Sequence, residues 1–125
     1  MKLDMEVRTI DEVSVLYCKG RFTYREEAVA FSQTVSRLVS ENRALVVEMS
    51  GLEIIDSAGL GELVVVHMWA KASRCALKVA GANFRILQLF DLTNLLSVFD
   101  VHPTLDDALL SLRLTAVTET ASNAA

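Results

Sequence analysis

Six residues in the first half of the chain, Ala44 to Met49, read ALVVEM and are apolar in all but Glu48. A run without alternation needs cover on both of its faces. Its branched residues, Val46 and Val47, favour an extended strand over a short buried helix. Such a strand belongs at the centre of a sheet that carries helices on both sides.

The flanking segments supply those helices and the neighbouring strands. Leu3, Met5 and Val7 alternate with Asp4, Glu6 and Arg8, and Val13, Val15 and Tyr17 repeat the period of two until Gly20, which predicts a hairpin. In TYREEAVAFSQTVSRLVSEN the residues Ala28, Phe31, Val35 and Leu38 keep a helical spacing. Thr23 and Glu26 there form a T-x-x-E pattern, the signature of a capping box at a helix start. SGLEIID is predicted to lead into a second helix from Ala58 to Ala72, followed by the buried strand ALKVAG. A short helix from Phe84 to Leu92 places Ile86, Leu89 and Phe90 on one side, and SVFDV is predicted as a last short strand. Pro103, Thr104 and Asp107 open a final helix with Leu105, Ala108, Leu109 and Leu112 in one stripe.

The order β-β-α-β-α-β-α-β-α predicts an α/β fold, with a mixed but mostly parallel sheet of about four or five strands and about four helices. At 125 residues and 52% hydrophobic content the chain fits one domain, predicted over 1–114. The remainder, 115–125, has small and polar residues without a period and is predicted to be a disordered tail. A net charge of -4 without a run of Lys or Arg argues against a nucleic-acid partner. The first residues, MKLDMEVRTI, do not resemble a signal peptide, and no apolar stretch reaches membrane-spanning length. A cytoplasmic protein without a membrane partner is expected. Cys18 and Cys75 stand far apart with no C-x-x-C, so neither a metal site nor a redox pair is expected and both read as buried free thiols.

Enzyme motifs fail on their spacing. A nucleophile elbow around Ser57 needs glycine on both sides at two residues' distance; Gly59 fits and Ile55 does not. A phosphate-binding loop needs Lys and a hydroxyl after its glycines, whereas GLGEL offers Glu62. His67 lies within an apolar helix, where a packing role outweighs catalysis, and His102 precedes Pro103 in a loop. Asp106 and Asp107 fall in the first turn of a helix, where they complement its dipole. No catalytic residue and no cofactor are expected.

The stretch IIDSAGLGEL has a different logic. A serine at a helix start can cap it, which contributes about 1 kcal/mol. A cap alone does not require Gly59 and Gly61, each costing up to about 1 kcal/mol against Ala inside a helix. Glycines there would lower the wall around the Ser57 hydroxyl, and the helix N-terminus would seat a phosphate attached to it. Cap and chemical handle both remain open on these grounds. The helix that follows has one apolar face of Leu60, Leu63, Val64 and His67 and another of Val65, Met68, Trp69 and Ala72. The second face would either reach a partner or pack on a neighbouring helix.

IIDSAGLGELV, with LKVAGANFRILQLFDLTNLLSVFDVHPTLDDALL after it, closely resembles the STAS domain of bacterial anti-sigma factor antagonists. The matching residues are Asp56, Ser57, Ala58, Gly59, Leu60 and Gly61, then Arg85, Leu89 and Phe90, then Val98 and Phe99. The resemblance implies a STAS fold and a partner-switching regulator of transcription that is not an enzyme. It implies phosphorylation at Ser57 by an anti-sigma factor that is also a serine kinase, release of that partner, and restoration by a PP2C-type phosphatase. Asp56, Ser57, Gly59, Leu60, Gly61, Glu62, Val65, Trp69 and Thr23 are the expected partner-binding residues, Val65 and Trp69 through the second apolar face of the helix. Ala58 stands where many relatives have a second hydroxyl, and Thr23 where many have an acid. The family's other branches leave an alternative, an unphosphorylated scaffold or accessory subunit of a stressosome-type or lipid-transport complex.

Overall fold

The architecture below is that of a computed structural model, which describes residues 2–124, with side-chain surroundings through Leu114. The elements are β1 (Leu3–Ile10), β2 (Val13–Phe22), α1 (Arg25–Glu41), β3 (Ala44–Ile55), α2 (Ser57–Ala72), β4 (Ala76–Ala80), α3 (Phe84–Leu92), β5 (Val101–His102) and α4 (Leu105–Ala124). The sheet order is β1-β2-β3-β4-β5, antiparallel only between β1 and β2. The unalternating run thus becomes the middle strand. It is also longer than its apolar half, because Leu52 and Ile55 turn inward while Ser50, Gly51 and Glu53 face solvent.

Side-chain alternation sorts the sheet into two faces. Leu16, Cys18, Leu45, Val47 and Val79 join Phe31, Leu63 and Phe90 in the larger core under α1, α2 and α3. Val15, Val46 and Ala80 point the other way and meet Ala108 and Leu109 of α4, with Leu105 and Leu112 alongside. The final helix therefore uses the stripe its spacing predicts. Phe22 packs on Phe31 with ring centroids 4.5 Å apart, which fastens α1 over the end of β2.

Two expectations are corrected. The last strand is only two residues long and begins at Val101, because Val98 and Phe99 direct their N–H groups to Leu95 in turns. Phe99 drops from that turn into the core, edge-on to Phe90 at 5.2 Å. The capping box of Thr23 and Glu26 does not form; α1 starts after Tyr24, at φ 64°, with no side-chain cap. The backbone of α4 runs helical through Ala124, and Ala125 lies outside the described residues. An existing helix gains a hydrogen bond with each residue added, and the alanines in this segment are strong helix formers.

Candidate functional site

The parallel strands β2, β3 and β4 all end at the same edge of the sheet, where open α/β folds place their binding loops. Two of those loops are tied together by one carboxylate. Asp56 is the extended N-cap of α2, and its Oδ1 accepts the Gly59 N–H at 3.0 Å. Its Oδ2 accepts the Tyr24 N–H at 3.0 Å, from the loop that opens α1. The Asp56 N–H in turn donates to the Phe22 carbonyl at 3.1 Å. The N-cap of α1 is Tyr24, whose N–H goes to the acid of the neighbouring loop, and Thr23 before it sits half-buried. Burial opposes the charge on Asp56, but the N–H groups of Gly59, Tyr24, Ala58 and Asp56 itself together hold its carboxyl below the ordinary carboxylate value.

Asp56 leaves Ser57 without a capping task. Ser57 is the first residue inside α2, exposed, and no hydrogen bond among the described residues engages its hydroxyl. The cap reading is overturned. The free Oγ stands at a helix N-terminus, whose dipole favours negative charge.

The two glycines divide. A Cβ at Gly59 would lie 2.6 Å from the Phe22 carbonyl oxygen and 2.9 Å from the Phe22 ring, so this glycine lets α2 descend onto the end of β2. At Gly61 a Cβ would meet nothing within 4 Å, so only this one lowers the exposed wall near Ser57. Local spacing alone does not separate the two roles, and Gly59 departs from the expected one.

Along α2, Leu63 is buried, and Leu60 and Val64 pack against the main core. His67 meets the Phe99 ring edge-on at 5.6 Å, and burial first, then Lys71, lowers its pKa. The other apolar face stays uncovered: Met68 is 62% and Trp69 41% exposed, with Ala72 exposed and Val65 half-buried. Glu62, half-buried, lies beside this face, five residues on from Ser57. Asp56, Ser57, Gly61, Glu62, Val65 and Trp69 thus run together from the loop along one helix, whereas Leu60 and Gly59 turn toward the interior.

Three exposed side chains are absent from the expected site residues. Tyr24 is 70% exposed and joined to Asp56 across 32 positions, a contact without any local signature. Phe84 and Leu92 are 80% and 75% exposed at the two ends of α3. Their signal was available, since neither falls on the buried side defined by Ile86 and Phe90. Between α3 and the end of β3 lies an open groove of about 250 Å³, lined by Ile54, Arg85, Gln88, Leu89 and Leu92 among others. Among the described residues no cluster of His, Cys, Asp and Glu could hold a metal ion, and no helix is long and apolar enough to cross a membrane. Cys18 and Cys75 are free and buried, and burial pushes their thiols up to about 12 and about 11.

Fold and site define a small α/β domain that presents an unengaged serine at the start of a helix capped by its neighbour. The family model of the STAS domain matches residues 4–108, and the chain belongs to that family. An anti-sigma factor antagonist from Mycobacterium paratuberculosis is similar in structure, with TM-score 0.80 and 28% identity over 90% of this chain and 95% of that one. A STAS-domain protein from Planctomyces limnophilus shares the fold at TM-score 0.75, 15% identity, and 87% and 97% coverage of the two chains. So does the Bacillus cell-fate determinant SpoIIAA in its phosphorylated form, at TM-score 0.67, 12% identity, and 87% and 99% coverage. A search of curated protein sequences gave no match.

Proposed function

We propose that the protein is an anti-sigma factor antagonist that switches partners through Ser57. Unphosphorylated, it binds an anti-sigma factor with serine kinase activity and so frees the sigma factor. The kinase then transfers the γ-phosphoryl group of ATP to Ser57 Oγ; the hydroxyl proton passes to a base of the kinase, and ADP leaves. A PP2C-type phosphatase hydrolyses the phosphoserine and restores the binding form. The protein performs none of this chemistry itself and acts in the cytoplasm.

The observation that carries the reading is the division of labour at α2: Asp56 caps the helix, so the Ser57 hydroxyl is exposed and free to react. The anti-sigma factor antagonist from Mycobacterium paratuberculosis supports the regulatory role. Asp56, Gly61, Glu62, Val65 and Trp69 would meet the kinase, with Gly59, Leu60 and Thr23 holding that surface in place. A phosphate adds about -1.5 to -2 charge next to Asp56, on a helix that also carries Glu62. In the free protein the helix N-terminus offsets that repulsion. Against a partner it has no such relief, and binding weakens.

Intact mass and site mapping after incubation with the cognate kinase and ATP test the proposal. One phosphate is expected, located on Ser57 and absent from Ser57→Ala. No modification at Ser57, under any growth condition or with the kinase, would turn the reading to a scaffold or accessory subunit.

A further inference from the structure

β1 is one edge of the sheet. It pairs with β2 along its whole length, Leu3 to Ile10, and among the described residues no strand lies on its other side. An open strand edge of eight residues is a template for another strand unless something blunts it. β1 contains no proline, its register with β2 has no bulge, and Val7 near its middle is 42% exposed. Charged residues also blunt an edge, but only where like charges would meet. In β1 the two signs stand two positions apart: Glu6 and Arg8 share one face, with their side chains paired at 3.0 Å.

The hairpin turn decides which backbone groups are free. Asp11 and Glu12, at φ 51° and 66°, make a two-residue turn of the kind closed by a bond from the Val13 N–H to the Ile10 carbonyl. The antiparallel ladder alternates from there, so Arg8, Glu6 and Asp4 also turn their N–H and C=O groups toward β2. Lys2 keeps the phase, with its carbonyl against Gly20 of β2. Leu3, Met5, Val7 and Thr9 therefore direct theirs outward. A second β1 can bond antiparallel to this edge only with these odd-numbered residues opposite one another. In the central register Val7 faces Val7 of the copy and Met5 faces Thr9, which brings Glu6 opposite Arg8 on both sides of the two-fold axis. Four charges of alternating sign then surround the axis. One step to either side sets Glu6 against Glu6 or Arg8 against Arg8, so the charges favour the central register.

We infer that β1 binds a second copy of this chain, forming a two-fold dimer in which two five-stranded sheets become one continuous sheet. The pairing uses neither Ser57 nor the exposed face of α2, so it does not rest on the proposed switch. Analytical ultracentrifugation of the full chain over a concentration series tests it, with circular dichroism as the check on each variant's fold. A dimer that dissociates on dilution is expected. Val7→Pro removes an N–H that faces away from β2, so the hairpin should persist while the dimer is lost. Glu6→Arg alone, or Arg8→Glu alone, turns both cross-axis pairs into like charges and should raise the dissociation constant roughly tenfold or more. Both changes in one chain should restore the dimer. The two single variants, mixed, should pair with each other, since one strand then carries both cations and the other both acids. Should Val7→Pro fail to fold, the charge series decides alone. A chain that stays monomeric at millimolar concentration, a dimer indifferent to a folded Val7→Pro, or a double exchange no tighter than either single change would overturn the pairing.

Discussion

Two hydroxyl residues stand at helix starts in this molecule, one position apart in their relation to the helix. Thr104 directly precedes α4; its Oγ1 accepts the Asp107 N–H at 3.1 Å and donates to Asp107 Oδ2 at 3.0 Å. Ser57 is the first residue inside α2 and has no such bond, because Asp56 occupies the preceding position. A side chain just before the first turn can fold back onto the exposed N–H groups, and one inside it is directed away from them. One residue of offset therefore separates a hydroxyl spent on structure from one left for chemistry.

Charge at Ser57 is expected to give the largest effect. Ser57→Asp, or phosphorylation itself, should weaken kinase binding roughly a hundredfold or more, about 3 kcal/mol, measured by calorimetry. The melting temperature should hold or rise slightly, since an acid in the first turn of a helix is favourable. A charged variant that binds as tightly as the unmodified protein would erase the functional side of the comparison.

The glycines come next. Gly59→Ala forces a methyl group against the Phe22 carbonyl and should lower stability by about 2 kcal/mol in urea denaturation. Gly61→Ala, open to solvent, should raise stability by up to about 1 kcal/mol. Equal effects at the two positions would contradict the packing of α2 on β2.

Asp56→Ala should cost about 1 to 2 kcal/mol at neutral pH, since the substitution removes the α2 cap and the acceptor for Tyr24. The pH dependence has a definite sign. The folded pKa of Asp56 lies below the unfolded one, so its contribution is fully present above the unfolded value of about 3.9. It is lost as pH falls through the lower folded value. The stability difference between the native chain and Asp56→Asn should therefore shrink through that acid range.

The smallest effects test the two hydroxyls directly. Thr104→Ala should cost about 1 kcal/mol as a lost cap. Ser57→Ala should stay within about 0.5 kcal/mol, as exposed substitutions without partners do. A matched loss at both positions would show that Ser57 is a cap after all.

Much of the fold was legible because its signals are local. The apolar run ALVVEM marked the middle strand, the period of two marked β1 and β2, and α3 runs over the same Phe84 to Leu92 that its spacing predicts. The SVFDV segment misled because a short apolar stretch satisfies a strand and a buried turn equally well. Phe99 is buried in either case, and only the hydrogen bonds back to Leu95 distinguish the two. At the candidate site, DSAGLG indicated where to look, and the T-x-x-E pattern at Thr23 was a sound local signal that placed the helix start one residue early, since Tyr24 is the N-cap.

The sequence by itself determined the element order, the central strand, the apolar stripe of α4 and the position of the serine, since each follows from chain periodicity or a short motif. Only the tertiary structure decided that Asp56 serves the loops before both α1 and α2, that Gly59 is required by Phe22, and that Met68 and Trp69 remain uncovered. Those outcomes depend on atoms tens of residues apart. A hydrogen bond or a steric limit acts over a few ångströms of space, and sequence spacing does not specify which distant groups the fold will bring within that range.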